Sequence, residues 1–106
     1  HIPSDGEFTE LTDFLGVDTA GYAMKSPSGW NNNVGSNSSG FTALPGGYRH
    51  LNGFSSIDAN AYWWSTLVSD DNDSGAWTRG LGYINDAVYR EVFITHSGLS
   101  ARCVKD

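Results

Sequence analysis

Gly40-Phe41-Thr42-Ala43-Leu44-Pro45-Gly46-Gly47-Tyr48-Arg49 sets two short apolar or aromatic runs on either side of a Pro-Gly pair. Pro45-Gly46 matches a type II turn, in which proline fixes the first central torsion and glycine tolerates a positive φ at the second. The flanking runs, Phe41 to Leu44 and Tyr48 to His50, are therefore expected to be strands that fold back on each other. Downstream the pattern recurs at Ala61 to Thr66, Ala76 to Tyr83, Ala87 to Thr95 and Leu99 to Val104, each bounded by turn residues and each expected as a strand. In the last run Leu99, Ala101 and Cys103 alternate with Ser100 and Arg102, which predicts one buried face and an inward thiol. Between Ala87 and Thr95 neither alternating set is purely polar, so one face of that strand is expected to serve something other than the core.

Upstream, Ser26 to Gly40 is Ser, Asn and Gly with few apolar residues, a composition that reads as a long surface loop. Its Trp30 is expected to plug the loop onto the core rather than to stack on a ligand. Nearer the start, Ser4 and Glu7 have capping-box spacing. Phe8, Leu11 and Leu15 recur at helical spacing and Gly16 supplies a stop, which predicts one short amphipathic helix.

A chain of 106 residues fits a single domain over 1–106. Thirteen glycines and an aromatic set of 4 Trp, 5 Tyr and 5 Phe suit short strands and tight turns around an aromatic core. The formal charge of -6 repels phosphate backbones and anionic lipid, which argues against nucleic acid as a partner. No apolar run approaches the roughly 20 residues that span a bilayer, so membrane insertion by this domain is not expected. The chain starts at His1 rather than Met, as a mature product or a piece of something longer would. Its single cysteine, Cys103, reads either as a free thiol, an intermolecular bridge or half of a pair, or as a small buried apolar residue.

The Gly40 to Arg49 stretch resembles the signature of the Fibrobacter succinogenes major paralogous domain family. Tyr62-Trp63-Trp64-Ser65, Ala76-Trp77-Thr78-Arg79 and Gly98-Leu99-Ser100-Ala101-Arg102-Cys103-Val104-Lys105-Asp106 resemble further segments of it, in the same order. His1-Ile2-Pro3-Ser4-Asp5 is similar to the start of the family's helix. The resemblance implies a C-type-lectin-like α+β fold, with one short helix, twisted antiparallel sheets and long loops. It also implies a secreted or surface-anchored parent of the kind found in Bacteroidota and Fibrobacteres. In the family a Cys-Pro-x-Gly-Trp segment precedes the His-Ile-Pro-Ser stretch. By resemblance, then, Cys103 has a disulfide partner missing from this chain, and the domain is the C-terminal part of a longer protein lacking its first strand.

Residues with candidate chemistry are few. His1, His50 and His96 fit no zinc spacing. No Gly-x-Ser-x-Gly elbow accompanies the many serines, and Cys103 resembles a structural cysteine rather than the cysteine pair of formylglycine-generating enzymes. No residue is given a catalytic role. Asp70, Asn72 and Asp73 concentrate oxygen donors in a Gly-ended turn that offers a weak calcium site, against a plain solvated turn; an EF-hand would need Glu where Leu81 stands. No other cofactor is expected. Ile84-Asn85-Asp86 faintly resembles the Trp-Asn-Asp motif of true C-type lectins. Trp64 and Trp77 are expected to be mainly structural. Tyr83, Asp86, Tyr89, Glu91 and Phe93, with the Asp70 to Asp73 turn, offer rigid aromatic area and adaptable polar contacts. They are the expected ligand-binding surface. Asp18-Thr19-Ala20 resembles a Bacteroidota O-glycan acceptor, with Thr19 the modified residue.

The resulting expectation is a non-catalytic extracellular or cell-surface binding module whose partner is a protein or a glycan. The alternatives are a self-associating structural subunit of a fibre or surface layer and, after that, an enzyme of the formylglycine-generating type.

Overall fold

A computed structural model of the chain describes residues 1–70 and 74–106. Helix α1, Asp5–Leu15, begins where the local sequence dictates: the Ser4 hydroxyl accepts from Glu7 N at 3.1 Å and the Glu7 carboxylate accepts from Ser4 N at 2.8 Å. It stops at Gly16, whose φ of 92° suits a residue without a Cβ. A second helix that the periodicity did not announce, α2, spans only Ala20–Met24.

After α2 the chain runs irregularly to β1 (Tyr48–His50), which pairs antiparallel with β2 (Gly53–Ser55). Strands β3 (Asn60–Val68), β4 (Gly75–Gly82) and β5 (Tyr89–Ile94) form a three-stranded antiparallel sheet in the order β3-β4-β5, with an irregularity between Trp64 and Val68. The α+β class and the antiparallel sheet agree with the sequence reading. Helix α1 packs against β3 and β4. The core gathers Phe8, Met24, Trp30, Ala43, Ala61, Trp63 and Leu81. Trp30 plugs its loop as expected: it is buried and its Nε1 donates to the Ala43 carbonyl at 3.0 Å. Among the described residues no helix is long and apolar enough to cross a membrane.

Several expectations fail, each for a traceable reason. Phe41 to Leu44 is not a strand paired with Tyr48 to His50. Ala43 spends its amide on Met24 O (2.9 Å), while its carbonyl accepts from Ser26 N (3.0 Å) and Trp30 Nε1, leaving nothing for a hairpin. Nor is Pro45-Gly46 a type II turn, because the positive φ falls on Gly47 (66°) and Gly46 N instead closes a three-residue turn onto Leu44 O at 2.8 Å. Gly47 is demanded by crowding as well, since a Cβ there would collide with the Ser55 carbonyl.

Leu99 to Val104 is likewise not a strand. Ser100 bridges β3, through Ser100 N to Tyr62 O (3.0 Å) and Trp64 N to Ser100 O (3.2 Å). One step further along β3, Thr66 N bonds Pro3 O at 3.0 Å, so the segment before α1 takes the place the tail would need. Residues 101–106 are exposed, and the Cys103 thiol is free and at the surface rather than inward. The fully buried tryptophan of β3 is Trp63, and Trp64 and Trp77 are half-buried.

Candidate functional site

The register fixes which side chains share a face. Tyr62 lies opposite Gly80, which lies opposite Tyr89; Trp64 aligns with Thr78 and Glu91; Ala76 aligns with Phe93. Side chains in one cross-strand row project to the same side of the sheet. The middle strand contributes only small residues to this face, and the rings of its neighbours lie over them. A Cβ at Gly80 would sit 2.5 Å from Tyr62 Cε1, so the absence of a side chain there lets the Tyr62 ring settle onto the strand. Tyr48 reaches over from β1 and completes a three-ring cluster. The ring centroids are 4.7 Å apart for Tyr62 and Phe93, 5.5 Å for Tyr48 and Phe93, and 5.7 Å for Tyr48 and Tyr62.

Tyr89 and Glu91 stand exposed beside that cluster. Burial raises the Tyr62 hydroxyl above the usual tyrosine range, and the charge of Glu91 and the neighbouring Tyr48 and Tyr89 push the same way. Three of the five expected binding residues, Tyr89, Glu91 and Phe93, are thus brought together. Tyr48 and Tyr62 join them from distant strands, which no local pattern announces.

The other two expected residues point elsewhere. Tyr83 is half-buried and packs against the core. Asp86 turns its carboxylate to the fully buried Lys25, with Nζ at 3.4 Å, and its carbonyl accepts from Gly21 N at 2.9 Å. Asp70 is exposed; Asn72 and Asp73 lie outside the described residues. Among the described residues no group of three or more His, Cys, Asp or Glu is placed to hold a metal ion. Thr19 is exposed, with its hydroxyl donating to the Leu15 carbonyl at 2.6 Å.

The opposite face of the sheet is occupied by α1. Arg79, 4% exposed, donates to the Asp5 carboxylate, to the Asp5 carbonyl at 3.1 Å and to Thr9 Oγ1 at 3.0 Å. Arg90 joins the same carboxylate through Nε at 3.0 Å and Nη2 at 3.1 Å, and its guanidinium lies 3.6 Å from the Trp77 ring centroid. Two concavities lie elsewhere on the surface of the described residues. An apolar groove of about 520 Å³ runs between α1 and the tail, past Leu11, Phe14, Phe41 and Val104. A smaller one of about 310 Å³ lies between β1 and Gly98 to Ser100.

These features define a small α+β domain whose sheet is covered by a helix on one side and carries an open aromatic face with a carboxylate on the other. The sequence model of the Fibrobacter succinogenes major domain matches residues 1–105, and the chain belongs to that family. No curated protein and no solved structure matches the chain.

Proposed function

We propose that this domain is a non-catalytic, extracellular or cell-surface recognition module of C-type-lectin-like fold that binds a protein or glycan partner through the open face of its sheet. The observation that carries this reading is the exposed Tyr89 and Glu91 beside the Tyr48, Tyr62 and Phe93 cluster. Interlocked rings lose little freedom on contact, and an adjacent carboxylate supplies orientation, which is the division of labour found in binding loops.

The experiment compares the domain with its Tyr89→Ala, Glu91→Ala double variant on a glycan microarray and on an array of extracellular proteins. The expected result is a partner for the wild-type domain whose affinity falls by about 2 kcal/mol, roughly 30-fold, in the variant. A partner held equally by both proteins puts the site on another surface.

A second reading, a self-associating structural subunit, is favoured by one feature. Phe14 is 88% exposed at the rim of the apolar groove between α1 and the tail. Concentration-dependent association in sedimentation equilibrium, abolished by Phe14→Ser, would select it.

A further inference from the structure

Lys25 heads the side chains wholly withdrawn from solvent. A buried ammonium persists only where oxygen acceptors replace its hydration shell. Here they come from two irregular stretches far apart in sequence. Nζ donates to the Asn33 carbonyl at 3.0 Å and to the Asn85 carbonyl at 2.7 Å, and the Asp86 carboxylate lies at 3.4 Å. The Trp30 ring centroid is 5.3 Å from the same nitrogen. The surrounding chain is closed tightly over it: a Cβ on Gly35 would strike the Lys25 carbonyl and side chain, and one on Gly21 would strike the Asp86 carbonyl. Burial pulls the ammonium below the usual lysine range and the charge of Asp86 opposes that pull.

Oxygens that converge on one point repel one another unless a cation sits between them. Asn85 then carries the arrangement outward. Its carbonyl is held by Lys25, its Oδ1 accepts from Ala87 N at 3.0 Å, and its Nδ2 donates to the Tyr89 hydroxyl at 2.6 Å. A single residue therefore separates the buried ammonium from a ring on the exposed face.

We infer that Lys25 is a built-in cation on which the 26–40 loop and the 83–88 connection are both assembled, and that through Asn85 it acts as a positioning residue for Tyr89. The importance of Tyr89 to binding rests on the recognition reading above; the assembly of the loops does not. The Lys25 side chain itself is fully buried. It does inside the domain what a bound metal ion does in loops that are held by one.

Three variants test this. Lys25→Met keeps the stem and removes the charge. Amide hydrogen exchange in 26–40 and 83–88 is expected to accelerate by about tenfold or more, the scale of one lost charge-assisted hydrogen bond, while β3 and β4 keep their protection. Lys25→Ala removes the three methylenes beyond Cβ and the ammonium, the shape of n-propylammonium. Added n-propylammonium is expected to restore loop protection and the Tyr89 ring signals in NMR saturably, and n-propanol is not. Asn85→Ala leaves the carbonyl on Lys25 but cuts the link to Tyr89, so the loops should stay protected while the Tyr89 ring gains mobility. Unchanged exchange in Lys25→Met, or equal rescue by n-propanol, overturns the cation role, and an unaltered Tyr89 in Asn85→Ala overturns the relay even if Lys25→Ala does not fold. None of these readouts uses a ligand, so failure to find a partner leaves them intact.

Discussion

Asp5 joins the start of α1 to two strands, holding the buried Arg79 and the more exposed Arg90. Burial alone would raise its pKa, but hydrogen bonds from Arg90 and Arg79 and their charges outweigh that and leave it lowered. The folded carboxyl thus titrates below the unfolded one. The stabilisation it contributes is complete above the unfolded value, near pH 4, and is lost as pH falls through the lower folded value. Asp5→Asn should therefore flatten the acid limb of a stability profile below about pH 4 and cost about 3 to 5 kcal/mol at neutral pH, because Arg79 would remain buried without its counter-charge. Urea unfolding across pH checks both. An equal acid slope in the two proteins would mean that the carboxyl is not held by the arginines. Nothing in the sequence announces this cluster, since Asp5 and its partners lie 74 and 85 positions apart and each arginine reads alone as a solvated strand residue.

Elements differ in how far their causes are local, and that decides which ones the sequence makes legible. Helix α1 is closed by Ser4 and Glu7, three positions apart, and Gly16, all within reach of a spacing argument. Ser4→Ala should lower stability by about 1 kcal/mol in thermal unfolding without touching the sheet. Strand β5 was legible because its mixed alternation survives as two working faces, Arg90 turned toward α1 and Phe93 toward the ring cluster. The expected last strand failed because alternation shows only that one face is apolar; whether a neighbouring strand is free to receive it depends on Pro3, at the other end of the chain. Gly80 illustrates the same limit within β4, where a glycine reads as a weak strand residue and turns out to be the floor under Tyr62. Gly80→Ala should displace that ring, at about 1 to 3 kcal/mol for overpacking, and shift the aromatic NMR signals of Tyr48 and Phe93. Unmoved signals would show that the rings do not depend on the gap beneath them.

Across the whole molecule, the fold divides labour between a sealed half and an open one. Helix α1, α2 and the loops around Lys25 and Trp30 enclose the core, whereas the outer sheet face and the tail remain accessible. The class of fold was legible in the sequence because turn residues and short aromatic runs report burial locally. The site was legible only along β5, because its other rings arrive from β1 and β3. The tail carries the sharpest consequence of this division. Cys103 sits in a segment with no strand pairing, free and exposed, and Arg102 beside it leans over the Phe41 ring, with guanidinium and ring centroid 4.7 Å apart. A thiol in that setting should react with N-ethylmaleimide in the native state at about the rate of the urea-unfolded chain, because nothing in the fold shields it from the reagent. Labelling should also leave thermal stability unchanged, since no core contact is displaced. Mass spectrometry against time, with and without urea, decides it: a native rate slower by about a hundredfold would mean that the tail folds inward and the thiol is part of the core.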